Sequence, residues 1–220
     1  VIVLMFFVTA VFAQIPNDAK VIAKAGVALT KEKKYDEAIV KFQEALEAAP
    51  DNQIIISFIG ATAYKAKNYD LCLQSYKTNL ENGYKPEKCY KFIADVLKKQ
   101  EKYEEMKVYA EKGLKQYPVN SDLQRLASVC YLNLSTQKYN EALTLQKELA
   151  DLSQSDPEKY KVEIEKANDI FKESLEIVTK AYEINATNKN VLQAMLGIYQ
   201  ALNDTSNAKK IEGELKAIGG

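Results

Sequence analysis

Tyr35-Asp36-Glu37-Ala38, Tyr69-Asp70-Leu71-Cys72 and Tyr103-Glu104-Glu105-Met106 begin at one constant interval, and a fourth copy, Tyr139-Asn140-Glu141-Ala142, follows two residues late. A fixed period of this length marks a chain assembled from repeated supersecondary units. Other positions share the grid: Gly26 and Gly60 are one period apart, Pro50 and Pro118 two, and Ala45, Gly113 and Ala181 recur at two-period intervals. Each residue type has a physical reason. The tyrosine ends a short turn, and the acid after it falls in the first turn of a helix, where it caps free N–H groups and opposes the helix dipole. Gly26 and Gly60 fall mid-helix, where glycine costs ~1 kcal/mol relative to alanine, so a neighbouring helix is expected to come close. Ala38 fills a small-residue slot, and Pro50 and Pro118 stop the second helix of their units.

The pattern resembles the tetratricopeptide repeat. In 19–52 it is carried by Gly26, Leu29, Tyr35, Ala38, Phe42, Ala45 and Pro50, with Ile22 where a large aromatic often opens the motif. In 53–86 it is carried by Ile59, Gly60, Tyr69 and Tyr76, with Cys72 in the alanine slot, and in 87–120 by Tyr90, Leu97, Tyr103 and Pro118, with Ala94 in place of the glycine. In 121–154 Tyr131 and Ala142 remain, and two residues are inserted in the turn. The resemblance implies an all-α fold, a solenoid of helix pairs stacked as an α-α superhelix, that binds a protein or peptide along a concave face lined by the first helix of each pair.

The C-terminal third departs from the pattern. Asp156-Pro157-Glu158 reads as a helix start. The apolar residues Tyr160, Ile164, Ala167, Phe171, Leu175, Val178 and Tyr182 keep helical steps across Asn168-Asp169, which predicts one long helix over 157–184. A terminal pair follows within 189–217, divided at Asn203-Asp204. Its last helix has one apolar face (Ala208, Ile211, Leu215, Ile218) and a charged one (Lys209, Lys210, Glu214, Lys216), as a terminal cap requires.

Composition narrows the function. Thirty Lys and Arg balance thirty Asp and Glu, which argues against a nucleic-acid partner, since phosphate binding needs a basic surface. There is no histidine, so Ser-His-Asp and Cys-His catalysis within the chain is excluded and the commonest transition-metal ligand is missing. Cys72, Cys89 and Cys130 match no zinc or redox spacing and are expected to stay unpaired, with Cys72 and Cys130 packed as small apolar groups. The recurring acid pairs are helix-start residues, and no phosphate loop, nucleophile elbow or metal motif is present. No catalytic residue, metal site or cofactor is expected.

Val1–Ala13 is uncharged and too short to span a bilayer. With small residues before Gln14, it reads as the apolar core and cleavage site of a secretory signal. This predicts a mature chain of 14–220, periplasmic or secreted, with no stable membrane insertion after cleavage.

Placing the inward positions that the resemblance implies on the first helices gives Ile54, Phe58, Tyr64, Phe92, Leu126 and Val129 as apolar lining. Among them stand Lys65, Lys88, Lys91, Lys98, Lys99 and Arg125, against Asp95 and Asp122. The expectation is a groove for an acidic segment with apolar anchors, floored by Phe58 and Phe92. The alternative is that these rings pack between helices and the lysines form a solvated face. The pattern by which relatives clamp a terminal carboxylate is not matched: Ala23, Val27 and Phe58 stand where it needs Lys, Asn and Asn. The sequence thus reads as a non-catalytic interaction scaffold or adaptor of the cell envelope. Its rivals are a structural subunit of an envelope assembly and an accessory that positions a catalytic partner.

Overall fold

The computed structural model describes residues 14–219; the expected secretory segment, Val1–Ala13, lies outside them. The described residues form eleven helices and no strand: α1 (Asn17–Lys31), α2 (Tyr35–Ala48), α3 (Gln53–Lys65), α4 (Tyr69–Glu81), α5 (Pro86–Lys99), α6 (Tyr103–Gln116), α7 (Ser121–Glu148), α8 (Leu152–Ser155), α9 (Pro157–Ile184), α10 (Lys189–Ala201) and α11 (Thr205–Gly219). The expected all-α class holds. The chain divides into two compact units, the first built on α1–α5 and the second on α6–α11.

In the first unit each helix packs on the next, from α1 to α5. The core gathers Ala19, Ala23, Phe42, Ile55 and Ile59. The mid-helix glycines do what their position predicts. A methyl group on Gly26 would stand 2.7 Å from the Phe42 ring, and one on Gly60 would stand 3.0 Å from both Ser75 and the Tyr76 ring. Cys72, in the alanine slot, is fully buried.

The turns carry a signature that residue identity hides. Lys33, Lys67 and Glu101 have φ of 63°, 60° and 57°, the left-handed region in which a side chain costs roughly 1–2 kcal/mol. They recur at the same interval as the tyrosines. The first two let the chain double back before Tyr35 or Tyr69 opens the next helix. In the first two turns a backbone bond spans the reversal, from Lys34 N to Leu29 O (3.0 Å) and from Asn68 N to Ala63 O (2.9 Å). Side-chain capping falls to asparagines and aspartates just before the helices (Asp156 and Asp204 among them) rather than to the acids of the first turn. Asn52, Asn120 and Asn188, spaced at two periods, accept backbone N–H bonds at the starts of α3, α7 and α10.

The second unit overturns one expectation and extends another. The turn expected within 121–154 does not form, and α7 runs unbroken through Thr136–Lys138. The reason is phase: Cys130, Tyr131, Leu134, Ala142 and Leu149 remain buried at helical steps on both sides, so a continuous helix keeps its apolar face covered. Ser135, the position equivalent to Lys33, Lys67 and Glu101, is buried instead. Its hydroxyl donates to the Ser174 carbonyl (2.9 Å), and the Ser174 hydroxyl donates to the Ser135 carbonyl (2.8 Å). This polar lock joins α7 to α9 near the middle of both.

The C-terminal third has the expected long helix and terminal pair, and in addition it keeps the repeat register. The next grid position, Asp169, lies inside α9, which spans Pro157–Ile184 as the periodicity predicts. The one after that, Asn203, is again left-handed (φ 57°) and separates α10 from α11. Six frames of the grid therefore run through the chain, with the inner turns of the fourth and fifth absorbed into two 28-residue helices packed on each other. Phe171, Val178, Leu192, Ile198 and Ile211 sit in their core. In α11, Ile211 and Leu215 pack inward, whereas Ile218 is 38% exposed and leaves the expected apolar face.

Candidate functional site

Charge in the first unit is segregated by layer. Helices α1, α3 and α5 carry eight lysines against three acids, while α2 and α4 carry two lysines against six. The chain as a whole is neutral.

Most of the residues expected to line a binding face come together on α3 and α5. Tyr64 meets Phe92 edge to face, with ring centroids 5.7 Å apart at 85°. Phe92 also stacks on Tyr76 of α4, at 4.5 Å and 6°. Phe58 stacks on Phe42 of α2 at 5.3 Å. Both phenylalanines are half-buried, so each spends one ring surface on a neighbouring helix and keeps part of its area accessible. Lysines cover what remains: Lys88 Nζ lies 5.7 Å from the Phe92 centroid and Lys99 Nζ 5.6 Å from that of Tyr64, within reach of a cation–π attraction.

The acid of this face is already engaged. Asp95 accepts a hydrogen bond from the Tyr64 hydroxyl and lies 3.4 Å from Lys98 Nζ. Burial and that bond hold the Tyr64 phenol well above its ordinary pKa. The cations are crowded: burial lowers the pKa of Lys88, and the nearby charges of Lys85 and Lys91 lower it further. A carboxylate placed here would relieve that repulsion. Lys65 is exposed and Lys91 half-buried.

Four expected lining residues fall elsewhere. Ile54 is 6% exposed and belongs to the first unit's core, because Ile54, Ile55 and Ile56 bury the opening turn of α3 on every side. Leu126 is fully buried in the second unit. Arg125, also in that unit, lies 3.6 Å from Asp122 and lines a cavity of about 280 Å³ together with Val129, Ser128, Ile184, Asn185 and Asn188. Ser128, Asn185 and Asn188 were not expected in a site. Only Asn188 carried a signal, through its column with Asn52 and Asn120.

All three thiols are free and buried. Burial pushes Cys72 and Cys130 up to about 12 and Cys89 to about 11. Cys89 and Cys130 donate to the carbonyls of Tyr84 and Tyr103, each at 3.2 Å. They are neutral packing groups at physiological pH, which argues against a reactive thiol. Among the described residues no group of Cys, Asp and Glu could hold a metal ion, and no helix is long and apolar enough to cross a membrane.

No family model matches the chain, and no curated protein matches it. Solved structures do. The crystal structure of the MamA protein is similar over 90% of this chain and 89% of that one, at 13% identity and a TM-score of 0.57. MamA residues 41-end from Desulfovibrio magneticus RS-1 is similar over 93% and 97%, at 11% identity and a TM-score of 0.53. YrrB, described as a tetratricopeptide-repeat protein with an unusual peptide-binding site, is similar over 90% and 84%, at 11% identity and a TM-score of 0.54. Identities this low speak for the fold, and they agree with the regular grid of tyrosines, glycines and left-handed turns: the chain has the tetratricopeptide-repeat fold.

Proposed function

We propose that this protein is a non-catalytic interaction scaffold whose first unit holds an acidic, apolar-anchored segment of a partner protein against α3 and α5. The observation that carries this reading is the segregation of charge: in the first unit of a neutral chain, α1, α3 and α5 carry eight lysines against three acids, and α3 and α5 also present Tyr64, Phe58 and Phe92. Aromatic rings supply interface energy, and the lysines speed encounter and select the sign of the partner. The peptide-binding site of YrrB supports a binding role for this fold. We also propose export to the periplasm or the exterior. That rests on the apolar sequence Val1–Ala13, and intact mass of the exported protein tests it: a chain beginning at Gln14 supports export with cleavage, and retention of Val1–Ala13 contradicts it.

The binding test uses a fluorescent peptide alternating Glu with Phe and Leu, and a matched Lys-containing peptide. The triple variant Lys65→Gln, Lys88→Gln, Lys99→Gln should bind the acidic peptide at least fivefold more weakly at low salt. The gap should close at high salt, because the exposed charges are screened there. Equal binding by variant and parent at low salt, or no preference for the acidic peptide, contradicts the proposal.

A further inference from the structure

The second unit contains a cavity of about 280 Å³ between the start of α7 and the turn joining α9 to α10. Its polar lining is rich in free donors, with one exception: Gln124 donates its NH₂ to the Pro118 carbonyl at 2.8 Å and keeps an amide oxygen on the wall. Asn185 Oδ1 accepts from the backbone N–H and the hydroxyl of Thr187, at 3.0 and 2.9 Å. Asn188 Oδ1 accepts from the N–H groups of Asn190 and Val191, at 3.0 and 3.4 Å. With both amide oxygens committed to the turn, each asparagine has an NH₂ group left to donate.

Ser128 stands on the opposite wall. It is 5% exposed, and its hydroxyl is buried with no hydrogen-bond partner. Helical hydroxyls usually return to the carbonyl four residues back, as Thr136, Thr144 and Thr179 do in this same unit, to Leu132, Asn140 and Leu175. Ser128 does not. One turn of α7 earlier is Arg125, with a half-exposed side chain and a guanidinium nitrogen 3.6 Å from Asp122, longer than a direct hydrogen bond. Most of its five donors are therefore available. Val129 and Ile184 supply apolar wall.

A cavity that offers a guanidinium fork, a buried hydroxyl and two amide NH₂ groups is matched to an anion with several acceptor oxygens. We propose that it binds the phosphate or carboxylate group of a small molecule. Arg125 is the forked partner, Asn185 and Asn188 donate from the opposite wall, and the Ser128 hydroxyl, closed off in the ligand-free cavity, reaches the anion by turning about its Cα–Cβ bond. Asp122, the acid beside Arg125, gives up its loose pairing when the anion enters. The cavity lies in the second unit, so this inference does not rest on the acidic-segment reading of α3 and α5.

The experiment titrates the full chain with inorganic phosphate, with acetate and with chloride at constant ionic strength, following backbone amide shifts by NMR. Saturable shifts confined to 121–129 and 184–190 are expected with phosphate or acetate and not with chloride. The anion that saturates at lower concentration identifies the group. Arg125→Gln should weaken that binding at least fivefold. Arg125→Lys, which keeps the charge and loses the fork, should also weaken it. Ser128→Ala should weaken binding at least threefold while leaving the ligand-free protein as stable as the parent, because the hydroxyl has no partner to lose. Shifts no larger than those with chloride, or binding unchanged in Arg125→Gln, would overturn the proposal. So would a Ser128→Ala protein that loses stability and keeps its affinity.

Discussion

The first and second units are written on the same repeat grid and solve it differently. In the first, Lys33 and Lys67 take left-handed backbone and the chain doubles back into short antiparallel helices. In the second, Ser135 and Asp169 occupy the same column and stay helical, so four short helices become two of 28 residues each. Nothing in the turn residues themselves distinguishes the cases. Lysine has no liking for positive φ, and serine and aspartate are better turn formers than lysine. What differs is the flanking apolar phase. Where the hydrophobic face continues in step through the turn position, helix wins, because every residue adds a hydrogen bond and no side chain is put in a left-handed conformation. Where the phase breaks, the closing helix recovers more by packing back than the strained residue loses.

The comparison breaks most visibly under proline. Asp36 and Lys172 share a column, the first in the opening turn of α2 and the second deep inside α9. Lys172→Pro should cost about 3 kcal/mol or more, by removing an interior bond and clashing with the preceding turn. Asp36→Pro, where the N–H has no helical partner, should cost about 1 kcal/mol or less. Urea denaturation of both variants checks this; equal losses would mean that α9 is interrupted.

Glycines sharpen the same contrast on the packing side. Gly26→Val should destabilise by about 1–3 kcal/mol, because the first added carbon already meets the Phe42 ring. Gly213→Ala in α11, where nothing lies within 4 Å, should stabilise by about 0.5–1 kcal/mol. Thermal melts distinguish the two by sign.

The smaller prediction is also one of sign. Lys33→Gly and Lys67→Gly should each raise stability by about 1 kcal/mol, since glycine relieves the left-handed conformation. Ser135→Gly, in the same column, should lower it by about 2 kcal/mol, combining the helix penalty of glycine with the lost bond to Ser174. Stabilisation at Ser135 would show that a turn exists there after all.

Thiols give the least dramatic test. Folded Cys72, Cys89 and Cys130 ionise above the ordinary value, so the unfolded chain releases these protons first as pH rises. Their contribution is full below pH ~9 and declines toward about 11–12. A chain with all three replaced by alanine should lose less stability than the parent across that window. Parallel decline in the two proteins would mean that the thiols are not buried.

How much of this the sequence showed depends on which signal carried it. Tyr35, Tyr69 and Tyr103 announce their turns by spacing, and Tyr160 to Tyr182 announce α9 by phase. The same phase criterion, applied to Tyr131, Ser135, Tyr139 and Ala142, reads α7 as continuous. The repeat pattern instead points to a turn there, because Tyr139-Asn140-Glu141-Ala142 copies the residues that follow a turn without the backbone reversal before them. Glycine is absent from every left-handed position of the grid, so residue type marked only Asn203. The candidate face on α3 and α5 was legible as a run of lysines with interleaved aromatics, and Ile54 was misplaced because a helix buried all round its first turn has no inward side to read. The cavity beside Arg125 was not legible. It depends on Asn185 and Asn188 lying opposite Ser128, a juxtaposition across three helices that no local pattern encodes.

The claim that two turns of the grid have become helix is tested most directly by a distance within α9. Nitroxide labels at the exposed positions Lys159 and Lys180, introduced as K159C and K180C with Cys72, Cys89 and Cys130 replaced by alanine, flank Asp169 almost symmetrically. The continuous helix between them separates their backbones by about 31 Å, whereas a hairpin reversing at Asp169 would bring them to about 10 Å, the spacing of packed helices. A single pulsed-electron-resonance distribution centred on the continuous-helix distance is the predicted result. A population at the packed-helix spacing would contradict the account.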